Sequence, residues 1–81
     1  MDAVRVLVVD DDPAVRRALV RLIERNGRAK CSEADDGLDA LRILESEAFE
    51  LVVSDEVMPH VNGVRLLETI RGRWPGTRRA T

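Results

Sequence analysis

Twice within 81 residues an apolar run stops on a carboxylate. VLVVDDDP, residues 6–13, runs into Asp10, Asp11 and Asp12. ELVVSDEVMP, residues 50–59, runs into Asp55 and Glu56. The first run, 4–9, is mostly apolar on both sides of the pleat and reads as a strand covered on both faces, the kind a parallel sheet contains. Residues 50–54 read as a further strand. Two such strands ending alike suggest one site assembled from two places.

Helical signals lie between and after these runs. Asp12 is a good N-cap, and Pro13 suits a first turn. Val15, Ala18, Leu19, Leu22 and Ile23 then fall on one stripe, with Arg16, Arg17, Arg21 and Glu24 opposite. Asn26-Gly27 closes that helix. Residues 28–34 (RAKCSEA) are weakly strand-like and fit a sheet edge. After an Asp35-Asp36-Gly37 turn, Leu38, Leu41 and Leu44, with Ala40 and Ala48, define a second apolar stripe. Residues 55–63 form a loop punctuated by Pro59 and Asn62-Gly63. A third helix places Val64, Leu67 and Ile70 on one side with Leu66 nearby, and Trp74-Pro75-Gly76 stops it. TRRAT remains as a tail. The order β-α-β-α-β-α predicts an α/β fold, a doubly wound parallel sheet joined by right-handed crossovers, in one small domain over 1–81.

In such a sheet all strands point one way. If the first and third strands are neighbours, Asp10, Asp11 and Asp55 crowd one edge, the edge where open α/β sheets bind ligands. Carboxylates gathered there repel, and a hard divalent ion with oxygen ligands relieves the repulsion; Mg2+ is the expected cofactor. A carboxylate beside that ion can act as a nucleophile on phosphorus. Asp12, Asp35 and Asp36 read instead as caps or solvated turn residues.

The composition narrows the partners. A net charge of −2 with arginines scattered among acids gives no basic stripe, so neither a direct nucleic-acid contact nor a membrane contact is expected. A single cysteine, Cys31, rules out an internal disulfide and reads as a small strand residue. No apolar run approaches a membrane span, and the N-terminus lacks a signal-peptide layout, so a cytoplasmic location is expected.

The motifs VLVVDDDPAVRRAL, EADDGLDAL, ELVVSDEVMPHVNGVRLLETIR and WPGT, in this order and spacing, resemble the receiver domain of bacterial two-component response regulators. The resemblance implies the doubly wound order 2-1-3 for the three strands. It implies that Asp55 is the phosphoacceptor and that Asp10 and Asp11 are the acidic metal pair. It further implies that Val57 supplies a backbone carbonyl to Mg2+ and that a histidine kinase is the phosphoryl donor. A receiver of this kind is a phosphoacceptor rather than an enzyme. The family pattern continues through two more strand-helix units, which carry a switch Ser or Thr and a Lys. Here Thr81 falls where the fourth strand should begin, and Lys30, the only lysine, lies in the presumed second strand. The reading is therefore of a single partial receiver domain with impaired phosphorylation. Its third strand would lose a neighbour, and its first helix would be partly uncovered, which favours self-association through that strand edge or that helix.

Two other functions compete. One is an interaction or oligomerisation module that keeps the acids but is never phosphorylated. The other is a phosphatase of the haloacid dehalogenase type using Asp10 and Asp12, but Ala14 stands where that pattern needs Thr, and SDEVMP has no role in it. His60 reads as a loop residue, Trp74 as a partly exposed cap on the third helix, and Arg16 and Arg17 as solvated.

Overall fold

The computed structural model describes residues 3–55 and 63–80. The two apolar runs are strands β1 (Val4–Val9) and β3 (Leu51–Ser54). Strands β2 (Ala29–Ala34) and β4 (Arg78–Ala80) complete one sheet. All pairings are parallel, in the order β2-β1-β3-β4. Parallel neighbours cannot be joined by a tight hairpin, so each connection carries a helix: α1 (Pro13–Glu24), α2 (Gly37–Ser46) and α3 (Gly63–Arg73). The 2-1-3 order expected for the first three strands holds.

The fourth strand corrects the sequence reading. The TRRAT tail is not a remainder, because Arg78–Ala80 pairs with Leu51–Val53 and covers the edge of β3 that was expected to be bare. Its sequence, RRA, is short and charged and carries no strand signal; backbone bonding makes the strand, beginning with Arg78 N–H to the Glu50 carbonyl at 2.9 Å. Just before it the buried Thr77 hydroxyl donates to the Phe49 carbonyl at 2.9 Å. Self-association through a naked β3 edge is therefore not available to this fold.

Side-chain alternation along β1 separates the two faces of the sheet. Leu7 and Val9 join Ala34, Ala40, Leu44, Phe49, Val52, Leu66 and Ile70 in one buried cluster beneath α2 and α3. Val6 and Val8, equally buried, fall on the opposite face, where α1 packs on β1 and β2. β1 is thus covered on both sides over Val6–Val9, as the apolar run VLVV requires. Fully burying a Leu or Ile stabilises by about 1.5–3 kcal/mol. Leu66 and Ile70, one turn apart, therefore hold α3 to the sheet.

All three helix faces differ from expectation by part of a turn. In α1 Val15, Ala18 and Leu22 of the expected stripe are exposed, while Val20, outside it, is half-covered. In α3 the buried pair is Leu66 and Ile70, with Leu67 half-buried, while Val64 is exposed. In α2 the buried residues are Ala40 and Leu44, and Leu38 is exposed. Gly37 and Ala40, in the first turn of α2, are buried, so Leu38 simply faces away from the sheet. Ala48 is also exposed, and its neighbour Phe49 fills the core instead.

The caps follow the sequence. The Asp12 side chain accepts from the N–H groups of Ala14 and Val15, and Pro13 occupies the first turn of α1. Asp36 caps α2 through the Asp39 N–H at 2.8 Å. After α1 the chain turns through Gly27 at φ 74°, a left-handed backbone that glycine takes without a Cβ penalty. None of the described helices is long and apolar enough to cross a membrane.

Candidate functional site

Register builds the site. Val9 pairs with Ser54, so the next residue on each strand, Asp10 and Asp55, leaves the sheet beside its counterpart. The ladder reaches one step further through backbone bonds. Asp55 N–H donates to the Val9 carbonyl at 3.0 Å, and Asp10 N–H donates to the Ala34 carbonyl at 3.1 Å. Both acids therefore stand on backbone still tied to the sheet. The structure brings one carboxylate oxygen each of Asp10, Asp11 and Asp55 within 4.8 Å of one another. Asp10 is only 6% exposed, whereas Asp11 and Asp55 reach solvent.

The three consecutive aspartates have separate tasks. Asp10 Oδ1 accepts the Asp12 N–H at 2.9 Å, which closes a tight turn around Asp11. The Asp12 carboxylate is committed to the helix, accepting from Ala14 N–H at 2.9 Å. That commitment removes the second acid from a haloacid dehalogenase arrangement. Asp11 lies between the two, at the tip of the turn. On the other strand the Ser54 hydroxyl donates to the Asp55 carbonyl at 3.0 Å, fixing the backbone that carries this acid.

Arg16 departs from the solvated role expected of it. Its side chain is only 15% exposed. Nη1 donates to the Asp10 carbonyl at 2.8 Å, and Nε donates to Glu33 Oε1 at 2.8 Å. Sequence reasoning missed both residues, because nothing in the local spacing says that a β2 glutamate faces an α1 arginine. Arg17 is exposed, as expected.

Other candidates fall away from the rim. Lys30 pairs with Arg5 in the β1–β2 register, towards the opposite end of the strands from Asp10. Cys31 lies half-buried on β2, and burial, reinforced by the charges of Glu24 and Glu33, pushes its thiol pKa up. A thiol so placed is a poor nucleophile. Trp74 is half-buried against the core below Arg73, at 4.5 Å from the guanidinium to the ring centre. Val57, together with Glu56, Pro59 and His60, lies outside the described residues.

The donor set suits a hard cation. It is all-oxygen and anionic, with neither thiolate nor imidazole among the described ligands. Mg2+ binds oxygen at about 2.0–2.1 Å and keeps several waters, so it needs few protein carboxylates.

Known proteins carry the same frame. The model of the response regulator receiver domain matches residues 6–80. The sensor histidine kinase RcsC of Salmonella typhimurium is 43% identical over 70 residues, 86% of this chain and 7% of that protein. The crystal structure of the response regulator TrrA of Thermotoga maritima in complex with Mg2+ and BeF superposes with a TM-score of 0.88 at 30% identity. The match covers 94% of this chain and 65% of that one. A chain in the crystal structure of histidine kinase ThkA in complex with the same TrrA gives a TM-score of 0.86 at 30% identity, over 94% and 65% of the respective chains. The chain thus spans under two thirds of these structural relatives and a small fraction of RcsC.

Proposed function

This chain belongs to the response regulator receiver domain family of two-component signalling, and from that premise we propose that its acidic rim is a phosphoacceptor site. Asp55 receives a phosphoryl group from the phosphohistidine of a histidine kinase, with Mg2+ held by Asp10, Asp11 and Asp55. The backbone carbonyl of Val57 is assigned as a further metal ligand from its place in the family motif. One observation carries the reading: three carboxylates from two separated segments lie within 4.8 Å at the carboxyl ends of β1 and β3. Like charges gathered at one point repel, and a divalent cation relieves that repulsion.

The residues divide the work. Asp55 offers an oxygen to phosphorus; the new O–P bond forms as the P–N bond to the kinase imidazole breaks, and the departing imidazole takes up a proton. Mg2+, when bound, neutralises the acids and the phosphoryl oxygens. Asp10, buried and with its N–H, carbonyl and one carboxylate oxygen all engaged, is the rigid ligand. Asp11 and Asp55, open to solvent, are the acids an incoming group can reach. The complex of TrrA with the kinase ThkA supports a kinase as the partner. The exposed Val15 and Leu22 of α1 support a protein-contact role for that helix, with self-association as one form of it. The module carries signals rather than turning over substrate, and it acts in the cytoplasm, where the kinase's phosphohistidine is presented.

Treatment with phosphoramidate and Mg2+, followed by intact-mass measurement, tests the proposal. We expect a gain of one phosphoryl group that disappears in Asp55→Asn. A gain that persists in Asp55→Asn would move the acceptor elsewhere, and no gain at all would favour an interaction module that retains the acids without using them.

A further inference from the structure

The turn carrying Asp10 and Asp11 is gripped from both ends by one residue. The Arg16 backbone N–H donates to the Asp12 carbonyl at 2.9 Å, while its Nη1 donates to the Asp10 carbonyl at 2.8 Å. Asp11 is thus bracketed between two carbonyls that Arg16 holds. The guanidinium is itself anchored, since Nε donates to Glu33 Oε1 on β2 at 2.8 Å. Glu33 also supplies a countercharge, so the clamp brings no unpaired positive charge to the acids. The planar guanidinium aims Nε and Nη1 in fixed directions at the carboxylate and the carbonyl, whereas an ammonium's rotatable donors would not hold that geometry.

We infer that Arg16 is a positioning residue for the acidic site: by bridging the Asp10 carbonyl and the Glu33 carboxylate it fixes the turn that presents Asp10 and Asp11 to Mg2+. The inference rests on the metal site proposed above. It assigns to Arg16 the part that outer-shell partners play at metal centres, where their loss weakens affinity without removing a ligand. Glu33 acts only through Arg16, so the two residues form one unit.

The test is Mg2+ titration of the full chain by calorimetry, with backbone amide resonances of residues 10–12 recorded before metal is added. Arg16→Met keeps the aliphatic stem and removes the fork. It is expected to weaken Mg2+ binding by about 10-fold, the lower end for outer-shell changes, and to shift the Asp11 and Asp12 amides in metal-free protein. Arg17→Met, on the same helix, is expected to change neither. Arg16→Lys should fail to restore affinity, and Glu33→Gln should add nothing in the Arg16→Met background. A folded Arg16→Met with a lower melting temperature but unchanged Mg2+ affinity would overturn the assignment, because a merely structural arginine behaves so. If Arg16→Met does not fold, Arg16→Lys decides: weakened binding supports the role and wild-type binding overturns it. Wild type that binds no Mg2+ would instead sink the metal reading itself, and Arg16's role with it.

Discussion

The two faces of the sheet are built to different standards. Under α2 and α3 the described residues make a closed core, with Leu7, Val9, Val52, Leu66 and Ile70 essentially excluded from water. Under α1 only Val6 and Val8 are sealed. α1 has the most sharply segregated polar and apolar sides of the three helices, yet not one of its residues is buried. Leu19, Val20 and Ile23 are half-covered, while Val15 and Leu22 stand in solvent, Leu22 at 62% exposure. On β3, Leu51 and Val53 face the same side and are also only half-covered. Amphipathicity therefore shows which side of a helix can be buried and leaves open whether it is. What fastens α1 is polar: the Asp12 cap, the Arg16 fork, and the Glu24 carboxylate accepting the Cys31 N–H at 2.7 Å.

Three substitutions probe this contrast, each read by urea denaturation. Leu66→Ala empties a fully buried site on the closed face and should cost about 3 kcal/mol, within the range for Leu-to-Ala changes in cores. In a domain this small such a loss would consume much of the total stability. Asp12→Ala removes the N-cap of α1 and should cost about 1 kcal/mol. If that cost equals the loss from Leu66→Ala, polar anchoring of α1 matters as much as the core, and the contrast between faces collapses. Leu22→Ala should change stability by no more than about 0.5 kcal/mol at low protein concentration, as surface changes do. A cost above roughly 2 kcal/mol, the low end for core truncation, would mean that Leu22 is covered in solution and that the α1 face is closed after all. A cost that grows with protein concentration would sharpen the contrast, because it would mark the open face as the one that associates.

Legibility in the sequence tracked how local the determining physics was. β1 and β3 were readable because short valine-rich apolar runs favour strands. Asp12 and Asp36 were readable as caps because capping involves only the next three residues. The meeting of Asp10, Asp11 and Asp55 followed from parallel topology on the condition that the first and third strands were neighbours, an order that the family likeness implied. Their chemical roles came from family likeness and stand as proposals. β4 was hidden because its pairing depends on backbone, and Arg78 and Arg79 look like a solvated tail. Leu38 and Val64 looked like core because periodicity gives an apolar side without fixing which part of it meets the sheet. Phe49 was overlooked between a helix and a strand, where no periodic pattern applies. Arg16 was misread because Glu33, its partner, is 17 residues away.

The Thr77 hydroxyl bonded to the Phe49 carbonyl has a consequence for how this chain can vary. It pins the polypeptide one step before β4 starts, so the alignment of that strand is decided upstream, as the box of a zip decides which teeth meet. The three positions that follow are relieved of choosing their own partners. Polar substitutions at these positions are expected to leave the sheet its fourth member, whereas loss of the Thr77 hydroxyl is expected to loosen it.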